Sequence, residues 1–115
     1  MILSKRHKFV FLKGQKVAST SMEVALSAIC GDDDVISLMD PIDEKKRVEL
    51  GGRAAQNFSA SREEEAAYLQ KLYDSDLESL GSLDRPATPF SAHMSFSKLE
   101  RVIGSLDGYF IFGVD

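Results

Sequence analysis

Lys8-Phe9-Val10-Phe11-Leu12-Lys13 is the stretch on which the fold turns. It is an unbroken run of apolar, β-prone residues with charged ends, the pattern of a strand buried on both faces. Gly14-Gln15 interrupts it, and Ser19, Thr20 and Ser21 then offer helix-capping hydroxyls. Met22, Ala25, Leu26 and Ile29 follow at i, i+3, i+4 and i+7, which predicts a helix with those four residues facing inward. Gly31 is placed to close that helix at the C′ position. Strand, polar loop and helix together make the first half of a βαβ unit.

Outward from this unit the pattern continues. Upstream, His7 reads as a solvated residue in a frayed N-terminus. Downstream, Asp32-Asp33-Asp34 reads as a solvated turn, and Val35-Ile-Ser-Leu-Met39 as a second strand ended by Asp40-Pro41. Residues 42–60 read as a long mobile loop with a short helical turn around Glu44–Leu50; Arg47, Arg53 and Arg62, in or beside it, could meet an anionic acceptor but read as solvated. Ser61-Arg-Glu-Glu64 is a capping box. It opens a helix whose stripe is Leu69, Leu72, Tyr73, Leu77 and Leu80, ending near Gly81. Ser97-Lys-Leu-Glu100 predicts a second box, with Leu99, Val102 and Ile103 as the inner face of a helix stopped by Gly104. Tyr109–Val114 reads as a buried strand with nothing after it to cover its second face. Alternating strands and helices predict an α/β fold on a parallel sheet.

The chain has 115 residues, room for one domain over 1–115. Its 43% apolar and 28% charged content excludes a disordered tail, a collagen-like fibre and a simple coiled coil. No apolar run approaches a membrane span, and no signal-peptide pattern opens the chain, so the expected location is cytoplasmic. Cys30 is the single cysteine, which excludes an internal disulfide and suits a reducing compartment. Charge is uneven. Residues 1–22 hold five Lys or Arg and no acid, whereas the remaining 93 hold nine basic and eighteen acidic side chains. That asymmetry points to a local anion site and away from a nucleic-acid-coating surface.

The anion site is expected at Lys13-Gly-Gln-Lys16-Val-Ala-Ser19-Thr20-Ser21. A loop between a buried strand and a helix turns backbone N–H groups toward the positive end of the helix dipole, a geometry that holds phosphate. Three hydroxyls add donors, and Lys16 adds a point charge. The lysine stands three residues before the first hydroxyl, so the Walker A spacing is not met. The plainer reading keeps Ser19–Ser21 as a helix cap and Lys16 as a surface lysine.

Phe9-Val-Phe-Leu-Lys-Gly-Gln-Lys16-Val-Ala-Ser-Thr-Ser-Met-Glu23 resembles the 5′-phosphosulfate-binding loop of sulfotransferases that use 3′-phosphoadenosine 5′-phosphosulfate, most of all their carbohydrate 2-O-sulfotransferase branch. Lys16 matches the family lysine and Ser19, Thr20 and Ser21 its hydroxyls. Gln15 stands where proline is usual, and Val17 where threonine is usual. Ala92-His93-Met94-Ser-Phe-Ser97 resembles the segment that carries the family's catalytic base, and Gly108–Asp115 resembles the strand leading to its 3′-phosphate segment, which would follow Asp115. The resemblance implies a P-loop-like three-layer α/β/α fold on a parallel sheet, here the N-terminal portion of a longer domain and incomplete at its C-terminus. It implies that Lys16, Val17, Ala18, Ser19, Thr20 and Ser21 bind the nucleotide sulfate donor. It makes Lys16 and His93 catalytic, with no metal, and makes the acceptor a hydroxyl, on a carbohydrate by family analogy. The alternative is a non-catalytic phosphate-binding module that keeps only the loop. Self-association through the uncovered last strand is expected in either case.

Overall fold

The computed structural model of the chain describes residues 1–13, 20–59, 61–91 and 93–114, with Lys13, Thr20 and Val114 described in backbone alone. A four-stranded mixed sheet runs in the order β3 (Val35–Ile36), β1 (Ile2–Ser4), β2 (Phe9–Lys13), β4 (Phe110–Val114). Four α-helices accompany it: α1 (Thr20–Ala28), α2 (Pro41–Glu49), α3 (Arg62–Asp74) and α4 (Phe96–Ile103).

The expected strand at Lys8–Lys13 is β2. Its apolar residues point alternately into two cores. Phe9 and Phe11 join Ile2, Ile36 and Cys30 on one face, where Leu26 of α1 and Phe112 of β4 pack against them. Val10 joins Leu3 and Val35 on the other face, covered by Tyr68 and Leu72 of α3 and Leu99 of α4.

The wholly parallel sheet is corrected by β1, which the sequence reading missed. Ile2–Ser4 lies in the middle of the sheet, antiparallel to both β2 and β3, while β2 and β4 are parallel. Three residues are too few for a periodic signal, and β1 holds only because it has a neighbour on each side. The start is therefore not frayed. Ser4 Oγ accepts from the His7 amide at 3.1 Å, Lys8 adopts a left-handed φ of 57°, and Ile29 O lies 3.0 Å from His7 Nε2.

The last strand also departs from expectation. β4 has β2 on one side and no further strand beside it among the described residues, so Phe110 is 70% exposed and Ile111 38%. It is an edge strand rather than a buried one.

The buried face of α1 is rotated by about one residue from the predicted stripe. Glu23, Ser27 and Cys30 face inward, with Leu26 half-buried, whereas Met22 and Ile29 are exposed. The helix ends at Ala28, and Gly31 does not take the left-handed conformation expected of a C′ glycine.

Residues 42–60 are not a loop throughout. Pro41 starts α2, Arg47 is completely buried, and Gln56 bridges back to Ile36. Ser61 caps α3, its Oγ accepting from the Glu64 amide at 3.2 Å, but the other half of the expected box is replaced, the Ser61 amide donating to Ser59 Oγ at 3.3 Å. That helix stops at Asp74, however, which leaves Leu77 exposed and puts Leu80 into the core from a separate 3₁₀ turn. The cap of α4 is Ser95, not Ser97: its Oγ accepts from the Lys98 amide at 3.2 Å, which places Ser97 inside the first turn. Leu99 is buried in that helix, while Val102 and Ile103 are largely exposed. Gly104 stops it at a φ of 90°, as expected. None of the described helices is long and apolar enough to cross a membrane.

Candidate functional site

Because β2 and β3 both run antiparallel to β1, and β4 runs parallel to β2, three strands direct their carboxyl ends to the same end of the sheet. Ligand sites in open α/β sheets form outside such carboxyl ends. The backbone leaves β2 at Lys13 and enters α1 at Thr20. Lys16, Val17, Ala18 and Ser19 lie outside the described residues. Thr20 is the first residue of α1, and Ser21, the next, is exposed.

The first turn of α1 is anchored by a buried charged cluster. Glu23, 1% exposed, lies 3.6 Å from the Met1 amine and 3.6 Å from Arg47 Nη1. The Met1 amine donates to Ser37 Oγ at 3.0 Å, which fixes this turn beside the residues that follow β3. Arg47 Nη2 donates to both carboxylate oxygens of Glu44, at 2.7 and 2.6 Å. Glu44 in turn accepts the amides of Met39 at 3.1 Å and Ala55 at 2.8 Å. The partners of Glu44 are thus complete. Both oxygens of Glu23 and Nη1 of Arg47 have ionic neighbours but no hydrogen-bond partner, and Arg47 Nε has no hydrogen-bond partner either. Arg47 was expected in solvent. The i,i+3 spacing of Glu44 and Arg47 was the available signal, but it is equally the spacing of an exposed ion pair.

Glu44 holds the backbone at Met39, and from there the chain forms one wall of a cleft of about 560 Å³. Met39, Asp40, Asp43, Arg85, His93 and Lys98 contribute to its lining. His93 sits in a turn ahead of α4 and is exposed. Arg85 Nη2 lies 3.5 Å from Asp40 Oδ1, a solvated pair across the opening. Phe90 and Leu38 form an apolar floor. The fold therefore brings His93 to the same end of the sheet as the first turn of α1. Carboxylates able to accept hydroxyl protons, cationic donors and an imidazole converge there on a space of small-molecule size. Arg85, Asp40 and Asp43 were not singled out from the sequence, because charged residues beside prolines look like ordinary loop.

Cys30 is buried against α1, where desolvation and the neighbouring Asp34 carboxylate push its thiol up to about 12. It is an inert packing residue, not a nucleophile.

Comparison of the chain with protein-family models, with characterised proteins and with solved structures finds no match.

Proposed function

We propose that the chain is a sulfotransferase-type domain that takes a sulfuryl group from 3′-phosphoadenosine 5′-phosphosulfate and passes it to an acceptor hydroxyl, on a carbohydrate. One observation carries this reading: the start of α1 and the His93 cleft share the carboxyl end of the parallel strands, one element apart through Ser37–Asp40. Donor and acceptor of an in-line transfer must meet at one such end.

In this reading Lys16, Val17, Ala18, Ser19, Thr20 and Ser21 hold the 5′-phosphosulfate at the positive end of α1. His93 takes the proton of the acceptor hydroxyl as its oxygen bonds to sulfur. Lys16 neutralises the charge that builds on the bridging oxygen of the departing phosphate. No step calls on a metal. The fold reading that belongs with this function is a P-loop-like three-layer domain, to which β1 adds an antiparallel central strand. The expected cytoplasmic location goes with this reading on the ground of the single cysteine, which suits a reducing compartment. Self-association through β4 accords with its uncharged sequence and exposed Phe110.

The test is calorimetric titration with 3′-phosphoadenosine 5′-phosphate. The native chain is expected to bind, and Lys16→Ala to bind about tenfold more weakly, the loss of one charge-assisted contact. Equal heats for the two proteins, or none for either, would remove the site assignment. Binding without any sulfuryl transfer, unchanged by His93→Asn, would leave only the non-catalytic module.

A further inference from the structure

The other end of the sheet, where β2, β3 and β4 begin, holds an open cleft of about 650 Å³. Its position follows from its lining: Val35 is the first residue of β3, Tyr109 immediately precedes β4, and Lys5 follows the antiparallel β1. It opens at the opposite end from the His93 cleft, and the two meet only at Phe90, which lines both.

The floor is apolar. Leu3, Val35, Phe90 and Leu106 are core residues whose remaining surface faces this space, and Ile103, at the end of α4, forms a wall. The rim is polar and held in place. Asp34 Oδ1 accepts the amides of Lys5 at 2.7 Å and Arg6 at 3.1 Å, which fixes the backbone from which Lys5 projects. Asn57, at a left-handed φ of 55°, donates from Nδ2 to the carbonyls of Asp32 at 2.7 Å and Asp34 at 2.8 Å. Arg62 Nη2 donates to the Asp32 carbonyl at 3.1 Å, one of the guanidinium's five N–H groups, so the side chain is oriented with donors to spare. Of the side chains that line the cleft, Lys5 and Arg62 are positive and Asp33 negative, while the Asp34 carboxylate is buried behind the rim and occupied by backbone donors. A ligand-sized apolar space with a few converging polar groups is the usual form of a small-molecule site.

We infer that this cleft binds a small amphipathic monoanion, with a carboxylate or sulfonate head on an aromatic or branched aliphatic body. The body lies on Leu3, Val35, Phe90 and Leu106, and the head meets Lys5 and Arg62. The inference does not rest on the sulfuryl-transfer reading, because Lys5, Arg62 and Ile103 line this cleft and not the His93 cleft.

Amide NMR of the full chain, titrated with naphthalene-2-sulfonate and separately with neutral naphthalene-2-methanol, tests this. The sulfonate is expected to move the amides of Lys5, Asp33, Val35, Ser105 and Leu106 and to saturate at one equivalent. The neutral compound should bind about tenfold more weakly, the worth of one charge-assisted contact. Ile103→Glu puts a like charge into the mouth from a residue that is 36% exposed, and should abolish binding while the amides of α3 keep their positions. Lys5→Gln should weaken the sulfonate and leave the neutral compound unchanged. Shifts confined to β4, no saturation, or full binding by Ile103→Glu would overturn the site. Equal affinity for the two compounds would overturn the anionic head.

Discussion

The two ends of the sheet solve one problem, a carboxylate taken out of water, in different ways. At the amino end, Asp34 is 1% exposed and its two oxygens accept from Ser4 Oγ at 2.8 Å and from the amides of Lys5, Arg6 and Gly31 at 2.7, 3.1 and 2.9 Å. At the carboxyl end, Glu23 is equally buried but is offset by charges 3.6 Å away without a hydrogen bond. Fixed backbone donors give a charge directed, nearly complete solvation, whereas ion pairing at that distance only partly replaces water. The amino end is thus built as a finished turn. The carboxyl end, where α1 begins, is held by charge balance with polar atoms left over.

Breaking that balance is expected to have the largest effect. Arg47→Met leaves Glu44 buried without its cation and Glu23 with the Met1 amine alone, and should cost about 3–5 kcal/mol in urea unfolding. A loss below about 1 kcal/mol would mean that water reaches the cluster.

The matching change at the other end is smaller. Asp34→Ala orphans the amides of Lys5, Arg6 and Gly31 together with the Ser4 hydroxyl, and should cost about 2–3 kcal/mol, since the turn can open partly to solvent. Acid tests the turn at the amino end. Desolvation raises the Asp34 pKa, but the bonds from Gly31, Arg6, Ser4 and Lys5 outweigh it and hold the carboxyl below its ordinary value of 3.8. A group depressed in the folded state contributes stability above its unfolded pKa and loses it as pH falls through the folded one. Unfolding followed from about pH 5 to pH 3 should therefore destabilise the native chain more steeply than Asp34→Asn. Parallel slopes would show that the turn does not hold the charge.

The smallest effect tests the helix that joins the two ends. α4 contributes Lys98 to the His93 cleft and Ile103 to the opposite cleft. Ser95→Ala removes its N-cap and should lower stability by about 1 kcal/mol, whereas Ser97→Ala should be nearly silent in the same thermal melts. The reverse order would restore Ser97 as the cap.

Legibility followed the range of the forces involved. β2 could be read because six adjacent residues carry the signal, and Ser61 because a cap acts within one turn. The inward face of α1 could not. Its apolar stripe predicts Met22 and Ile29 inside, but Glu23 and Ser27 take that place, because Arg47 and the Met1 amine receive Glu23 while Ser27 Oγ accepts the Arg53 amide at 3.0 Å. The burial of Arg47 depends likewise on Glu44, and the position of Glu44 depends on the amides of Met39 and Ala55. Of the candidate site, His93 was singled out from its segment, but the walls around it come from loops whose charges have no periodicity to read.

The sequence by itself determined where β2, α1, α3 and β4 would form, because strand and helix preference, capping and glycine stops act between residues a few positions apart. Only the tertiary structure decided that Ile2–Ser4 would run antiparallel through the centre of the sheet, that an arginine would be buried beneath the start of α1, and that two clefts would open at opposite ends. Each of those outcomes depends on pairing groups far apart in the chain, whose energies exist only once the backbone has brought them together.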